Sequence, residues 1–138
     1  MGAAYTKEED KMIYETRRIL KDWDMRVTAT TVRVPVFHGH SESINVETVK
    51  PCPIADVRKV LEQAENVVVV DDGANLRYPM PIEAENHDEV FVGRLRQDES
   101  VENGINMWVV ADNIRKGAAT NAVQIAERAI AMDVVRKD

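Results

Sequence analysis

Apolar residues recur every three or four positions after Thr6, which predicts an amphipathic helix over residues 7–22. Thr6 and Glu9 have the spacing of a capping box, in which each side chain binds the backbone N–H of the other residue. Residues 25–36 instead alternate and are rich in β-branched side chains, so they predict a strand. Pro35 cannot donate to a ladder, so we expect it at an edge, a bulge or the end of that strand.

Residues 41–50 alternate again, with Ile44, Val46 and Val49 toward one face. We expect this second strand to pair with the first through a turn at Phe37–His40, where Gly39 can adopt an unusual backbone angle.

The rest of the chain predicts a helix, three strands and a last helix. The helix covers 54–64, with Val57, Val60 and Leu61 inward, and a short buried strand of four valines follows. Residues 74–87 lack a period and predict a loop. The segments EVFVGRLR and INMWVV predict an antiparallel pair, and Asp112 predicts the N-cap of a helix that ends near residue 133.

Consecutive strands between helices predict an α+β domain with a mixed or largely antiparallel sheet and helices on one face. The 138 residues suffice for one domain with its own core. The formal net charge of -6 disfavours a nucleic-acid partner. No apolar run approaches the ~20 residues of a membrane span. The single cysteine, Cys52, fits a reducing, cytoplasmic location.

Two histidines are candidate metal ligands. His38 and His40 would share one face if both lay on a strand, but no further ligand completes a set, so we expect no metal site. Cys52 lies in the loop KPCP beside two prolines, without a helix start or a basic neighbour, so we expect a structural or exposed thiol.

Two features of the helices have an ordinary and a functional interpretation. Glu8 and Lys11 are three apart on the first helix and, taken alone, form a solvated ion pair. The last helix carries a small-residue surface, which could pack on this domain's own sheet or dock on another domain. Its members are Gly117, Ala118, Ala119 and Ala122.

Four segments in this order resemble the C-terminal half of aspartate-β-semialdehyde dehydrogenase. They are TKEEDKMIYETRRIL, VTATTVRVPVFHGHSES, FVGRLRQDES and ADNIRKGAATNAVQIAE. The resemblance covers roughly residues 5–130. It implies a domain like the C-terminal domain of glyceraldehyde-3-phosphate dehydrogenases, truncated at its N-terminal side.

The resemblance also implies site residues. The family's substrate-carboxylate arginine corresponds to Arg33, its acid–base histidine to His40, and its substrate-amine glutamate to Glu8. Its phosphate-binding lysine corresponds to Lys11, and Asn113 takes the place of a residue that can contact the nicotinamide end of NADP. No metal is implied, and His38 has no assigned role.

The family pattern is incomplete here. The sequence has no glycine-rich dinucleotide motif, and Cys52 lacks the context and order of the family's nucleophile. We therefore expect NADP to bind only the full-length enzyme and the isolated chain to be inactive.

The resemblance predicts how the chain is organised. Residues 1–4 are expected to be an expression remnant or a cut end, residues 5–112 a partial substrate and dimerisation domain, and residues 113–138 a segment whose helix docks on an absent NADP domain. The expected partners are aspartate semialdehyde or aspartyl phosphate, phosphate, and a second copy of the chain in a homodimer. The alternative is an inactive dimerising or regulatory module of the same fold.

Overall fold

The computed structural model describes residues 4–134, which belong to two units, Met1–Pro35 and Val36–Asp138. The first unit contains helix α1. The second contains the sheet, the other helices and a π-helical turn. The elements are α1 Lys7–Leu20, β1 His40–Glu47, α2 Ile54–Glu62, β2 Val67–Val69, α3 Pro81–Ala84, β3 Val90–Asp98, β4 Gly104–Ala111, the π-helical turn Arg115–Ala119 and α4 Thr120–Ala131.

The capping box fixes the start of α1, as predicted. The Glu9 N–H donates to Thr6 Oγ1 at 3.2 Å, and the Thr6 N–H donates to Glu9 Oε2 at 2.8 Å. The helix ends where Lys21 adopts a left-handed conformation with φ 56°, slightly before the predicted end at residue 22. Ile13 is buried on its inner face.

The strand predicted over residues 25–36 is wrong, because residues 25–34 form neither a strand nor a helix. Alternation and β-branching favour an extended backbone, but a strand also needs a neighbour to complete its hydrogen-bond ladder. The predicted hairpin through Phe37–His40 is wrong as well, since β1 pairs with β4.

The second unit is built on a four-stranded sheet of order β1-β4-β3-β2. β4 pairs antiparallel with β1 and β3, whereas β2 pairs parallel with β3. The predicted antiparallel pair is confirmed as β3 and β4, and the α+β class is confirmed. The core residues buried between these strands and the helices are Ala84, Val92, Leu95, Ile105 and Val110.

Several local predictions need correction. The valine strand β2 is an edge strand and is only half-buried, because its other side has no ladder partner among residues 4–134. Val60 on α2 is 67% exposed rather than inward, and Val49 is 97% exposed, beyond the end of β1. The expected loop over 74–87 contains the single helical turn α3, which begins at Pro81, a favoured first position.

The last helix begins irregularly. Asp112 caps it as predicted, by accepting from the N–H groups of Ile114 and Arg115. A π-helical turn follows, with a non-helical angle pair at Ala118, and regular helix α4 ends at Ala131 rather than near 133. Small side chains around this kink permit the distortion. Within residues 4–134, no helix is long and apolar enough to cross a membrane.

Candidate functional site

The candidate residues are divided between the two units. Glu8, Lys11 and Arg33 belong to the first unit, and His40 and Asn113 belong to the second.

Glu8 and Lys11 form the ion pair that their spacing predicts. Lys11 Nζ lies 3.7 Å from Glu8 Oε1, and the two side chains are 55% and 66% exposed. An exposed pair of this kind contributes little to stability, roughly 0–1 kcal/mol. Each charged group can therefore leave its partner and bind a ligand at a small cost in free energy.

Glu9 is a residue of this unit whose longer-range contact the sequence did not indicate. Besides closing the capping box, its carboxylate accepts the N–H of Thr31 at 2.7 Å. These backbone donors, Thr6 first and Thr31 second, hold the pKa of Glu9 below its usual range. Glu9 thereby connects the helix that carries Glu8 to the extended segment that carries Arg33. One hint of such a contact was present in the sequence: a capping box uses one of the two carboxylate oxygens of its glutamate, so the other oxygen can accept a further hydrogen bond.

Arg33 lies two residues beyond Thr31, and its side chain is exposed. Within residues 4–134 its guanidinium makes no ion pair, so the planar fork remains available for a carboxylate.

His40 is the first residue of β1 and pairs with Ala111 of β4. The preceding residue, Gly39, has φ 100° and donates its N–H to Asn113 Oδ1 at 2.7 Å. A Cβ at Gly39 would lie 3.3 Å from Cβ of Pro81. Close packing and a left-handed backbone both favour glycine here, so the backbone that enters His40 is constrained by contacts with Asn113 and Pro81, which are distant in sequence.

Asp112 fixes the segment that contains Asn113. Its carboxylate is 3% exposed and accepts three backbone N–H groups, those of Asn86, Ile114 and Arg115, at 2.9, 2.8 and 3.0 Å. The Asn86 hydrogen bond is the foremost reason that the pKa of Asp112 is lowered. One carboxylate thus joins the loop after α3 to the start of the last helix.

The expectation that His38 and His40 share a strand face is wrong, because β1 begins at His40 and Gly39 interrupts the extended backbone before it. His38 instead lies beside Glu85, with Nε2 3.5 Å from Oε1. Among the residues described, 4–134, no group of three or more His, Cys, Asp or Glu side chains could hold a metal ion.

Cys52 is half-buried and lies directly before Pro53, the N-cap residue of α2. Its distance from the helix start is the predicted one, since α2 begins at Ile54. The N–H groups of Asp56 and Val57 in that first turn donate to the Pro53 carbonyl, so they are engaged within the helix.

A dinucleotide needs a glycine-rich turn between a parallel strand and a helix N-terminus. β2, which pairs parallel with β3, is followed by a different turn, in which Asp72 accepts from the Asn75 N–H and forms a backbone bridge with Arg77. The Oδ1 atom of Asn113 accepts the Gly39 N–H, whereas its Nδ2 atom makes no hydrogen bond within residues 4–134.

The fold and these residues match a known class of domain. The family model for the semialdehyde dehydrogenase dimerisation domain matches residues 1–116.

The similar proteins and solved structures are aspartate-semialdehyde dehydrogenases. Aspartate-semialdehyde dehydrogenase of Aquifex aeolicus is 63% identical over 123 residues, which cover 89% of this chain and 36% of that protein. The crystal structure of aspartate semialdehyde dehydrogenase II from Vibrio cholerae, complexed with ASA, aligns with a TM-score of 0.87 and 48% identity, covering 95% of this chain and 38% of that one. The Candida albicans enzyme with NADP aligns with a TM-score of 0.74 and 28% identity, covering 95% and 44%.

The chain therefore belongs to the aspartate-semialdehyde dehydrogenase family and corresponds to its C-terminal dimerisation domain, with the fold of glyceraldehyde-3-phosphate-dehydrogenase-like C-terminal domains. It spans little more than a third of the Aquifex aeolicus relative's length, 36%.

Proposed function

We propose that this chain supplies the substrate-binding and proton-transfer groups of an NADP-dependent aspartate-semialdehyde dehydrogenase. That activity reduces aspartyl-β-phosphate to aspartate semialdehyde and releases phosphate, in the route to lysine, threonine and methionine. The observation that carries the proposal is the joint presence of Glu8, Lys11, Arg33 and His40 in a chain 63% identical to the Aquifex aeolicus enzyme.

Three of these residues would recognise the substrate by charge. The Arg33 guanidinium can hold a carboxylate through two parallel hydrogen bonds. Glu8 can accept from the substrate ammonium group, and Lys11 can bind phosphate once their mutual ion pair opens. Opening this ion pair needs little free energy, because both side chains are exposed and Lys11 Nζ lies 3.7 Å from Glu8 Oε1.

His40 would move the proton. Histidine can accept and donate protons near neutral pH, as acid–base catalysis at a carbonyl carbon requires. NADP, when bound by the full-length enzyme, supplies the hydride chemistry. We do not assign the nucleophile to Cys52, which lies in a different sequence context from the family's reactive cysteine.

We also propose that the chain forms a homodimer. The family model is that of a dimerisation domain. In the isolated chain, the apolar side chains of α4 that we expect to face the NADP domain of the full-length enzyme are exposed as well, among them Ile125 at 60% and Ile130 at 68%. Exposed apolar surface of this kind normally meets a partner. Light scattering at tens of micromolar, where modest interfaces are populated, should give a dimer mass, and a monomer mass would contradict the proposal.

A chimera tests the enzymatic proposal. This chain replaces the matching part of the Aquifex aeolicus enzyme, and NADP reduction is measured with aspartate semialdehyde and phosphate. We expect turnover, and we expect the same chimera carrying His40→Asn to lose it. A folded chimera that binds NADP without turnover would support the alternative, a dimerising or regulatory module without catalysis.

A further inference from the structure

The side chain of Asn113 joins two segments that are distant in sequence. Its Oδ1 accepts the Gly39 N–H at 2.7 Å across a separation of 74 residues. A backbone N–H can only donate, so the oxygen of the amide must face Gly39. The amide nitrogen, Nδ2, is left for another partner.

The sheet ladder does not hold the backbone just before His40. The ladder between β1 and β4 begins with His40 opposite Ala111, so Gly39 lies outside it. Glycine has the greatest backbone freedom of any residue, and Gly39 must hold φ 100°. The bond from Asn113 selects that conformation, and with it the direction in which the chain enters His40.

Asn113 is itself held rigidly. Its neighbour Asp112 is 3% exposed and binds three backbone N–H groups, including that of Ile114 on the other side of Asn113. A positional error at Asn113 would therefore require a buried, fully bonded carboxylate to move. This makes the segment a fixed support for the Gly39 backbone.

We propose that Asn113 is a positioning residue for His40. Its Oδ1 fixes the Gly39 backbone, so Nδ2 is the amide atom left for a ligand, and such a ligand would have to present a hydrogen-bond acceptor there. The catalytic meaning of this role rests on the proposed function of His40, whereas the restraint on Gly39 does not.

Two substitutions of nearly equal size separate the functions of the two amide atoms. Asn113→Asp keeps an acceptor for Gly39 and removes the Nδ2 donor. Asn113→Leu removes both. The first measurement is amide hydrogen exchange of Gly39 and His40 in the 138-residue chain. We expect protection to persist in Asn113→Asp and exchange to become roughly tenfold faster or more in Asn113→Leu, as local opening becomes easier.

The second measurement is kinetic and uses the chimera. We expect kcat to fall on the order of 10–100-fold in Asn113→Leu, since small misplacements of a reacting group have effects of this size. The KM for NADP should rise in both variants, because both lose the Nδ2 donor, but kcat should fall further in Asn113→Leu than in Asn113→Asp, by about tenfold or more, because only Asn113→Leu releases Gly39.

Several results would overturn the positioning role. One is that the Gly39 amide hydrogen of Asn113→Asp exchanges as fast as it does in a short unstructured peptide. This comparison stays valid if Asn113→Leu does not fold. Others are unchanged exchange in a folded Asn113→Leu chain, or equal kcat losses in both chimeric variants. An inactive unsubstituted chimera counts against the proposed function only, and the exchange measurement still decides the restraint.

Discussion

Gly93→Ala should destabilise the domain through a backbone collision. Gly93 lies in β3, and a Cβ on it would come within 2.1 Å of the Val70 carbonyl oxygen and 2.6 Å of Pro79 Cδ. Ordinary contacts of a Cβ atom begin near 3.4 Å, so both neighbours must retreat. Neither moves freely, because the Val70 N–H donates to Val92 O at 2.8 Å and the Pro79 carbonyl accepts Trp108 Nε1 at 3.0 Å.

The expected size follows from these contacts. Overpacking of a close-packed site costs about 1–3 kcal/mol. Weakening one backbone hydrogen bond adds about 0.5–1.5 kcal/mol. The free energy of unfolding should therefore fall by roughly 2–4 kcal/mol, which for a domain of this size lowers Tm by about 10 °C.

The assay is thermal unfolding of the 138-residue chain followed by circular dichroism. Gly73→Ala is the matched control, because a Cβ on Gly73 meets no atom within 4 Å. It should leave Tm unchanged or slightly higher, since alanine restricts the unfolded chain. A Gly93→Ala protein that melts within about 2 °C of the Gly73→Ala protein would refute the reasoning.

Four further predictions concern the site. In the chimera, Arg33→Lys should raise the KM for aspartate semialdehyde and leave the KM for NADP little changed, because lysine lacks the planar guanidinium fork. The fall in kcat/KM should correspond to a loss of about 2–4 kcal/mol in transition-state stabilisation. His40→Asn should lower kcat by about 10²–10⁴, and wild-type kcat would defeat its acid–base role. Cys52→Ser should leave kcat nearly unchanged, and a loss of orders of magnitude would make Cys52 the nucleophile. Asp112→Asn should lower Tm at pH 7, measured by circular dichroism. Because folding lowers the Asp112 pKa, this stabilisation is complete above the ordinary value of 3.8 and is lost as pH falls through the lower folded value, so the difference from the unsubstituted chain should vanish in acid.

Elements whose causes are local could be predicted from the order of residues alone. The capping box between Thr6 and Glu9 and the cap at Asp112 involve residues a few positions apart, so their spacing reveals them. The hairpin of β3 and β4 could be predicted in the same way, since its strands are adjacent in the chain. The resemblance to aspartate-semialdehyde dehydrogenases also rested on ordered local segments.

Features that depend on partners far along the chain became visible in the folded protein alone. Residues 25–34 have the composition of a strand, but a strand exists only with a neighbour, and β1 pairs with β4 instead. The contacts from Glu9 to Thr31 and from Asn113 to Gly39 join positions with no fixed sequence relation. Such contacts form because buried or constrained polar groups must find partners wherever the fold brings them.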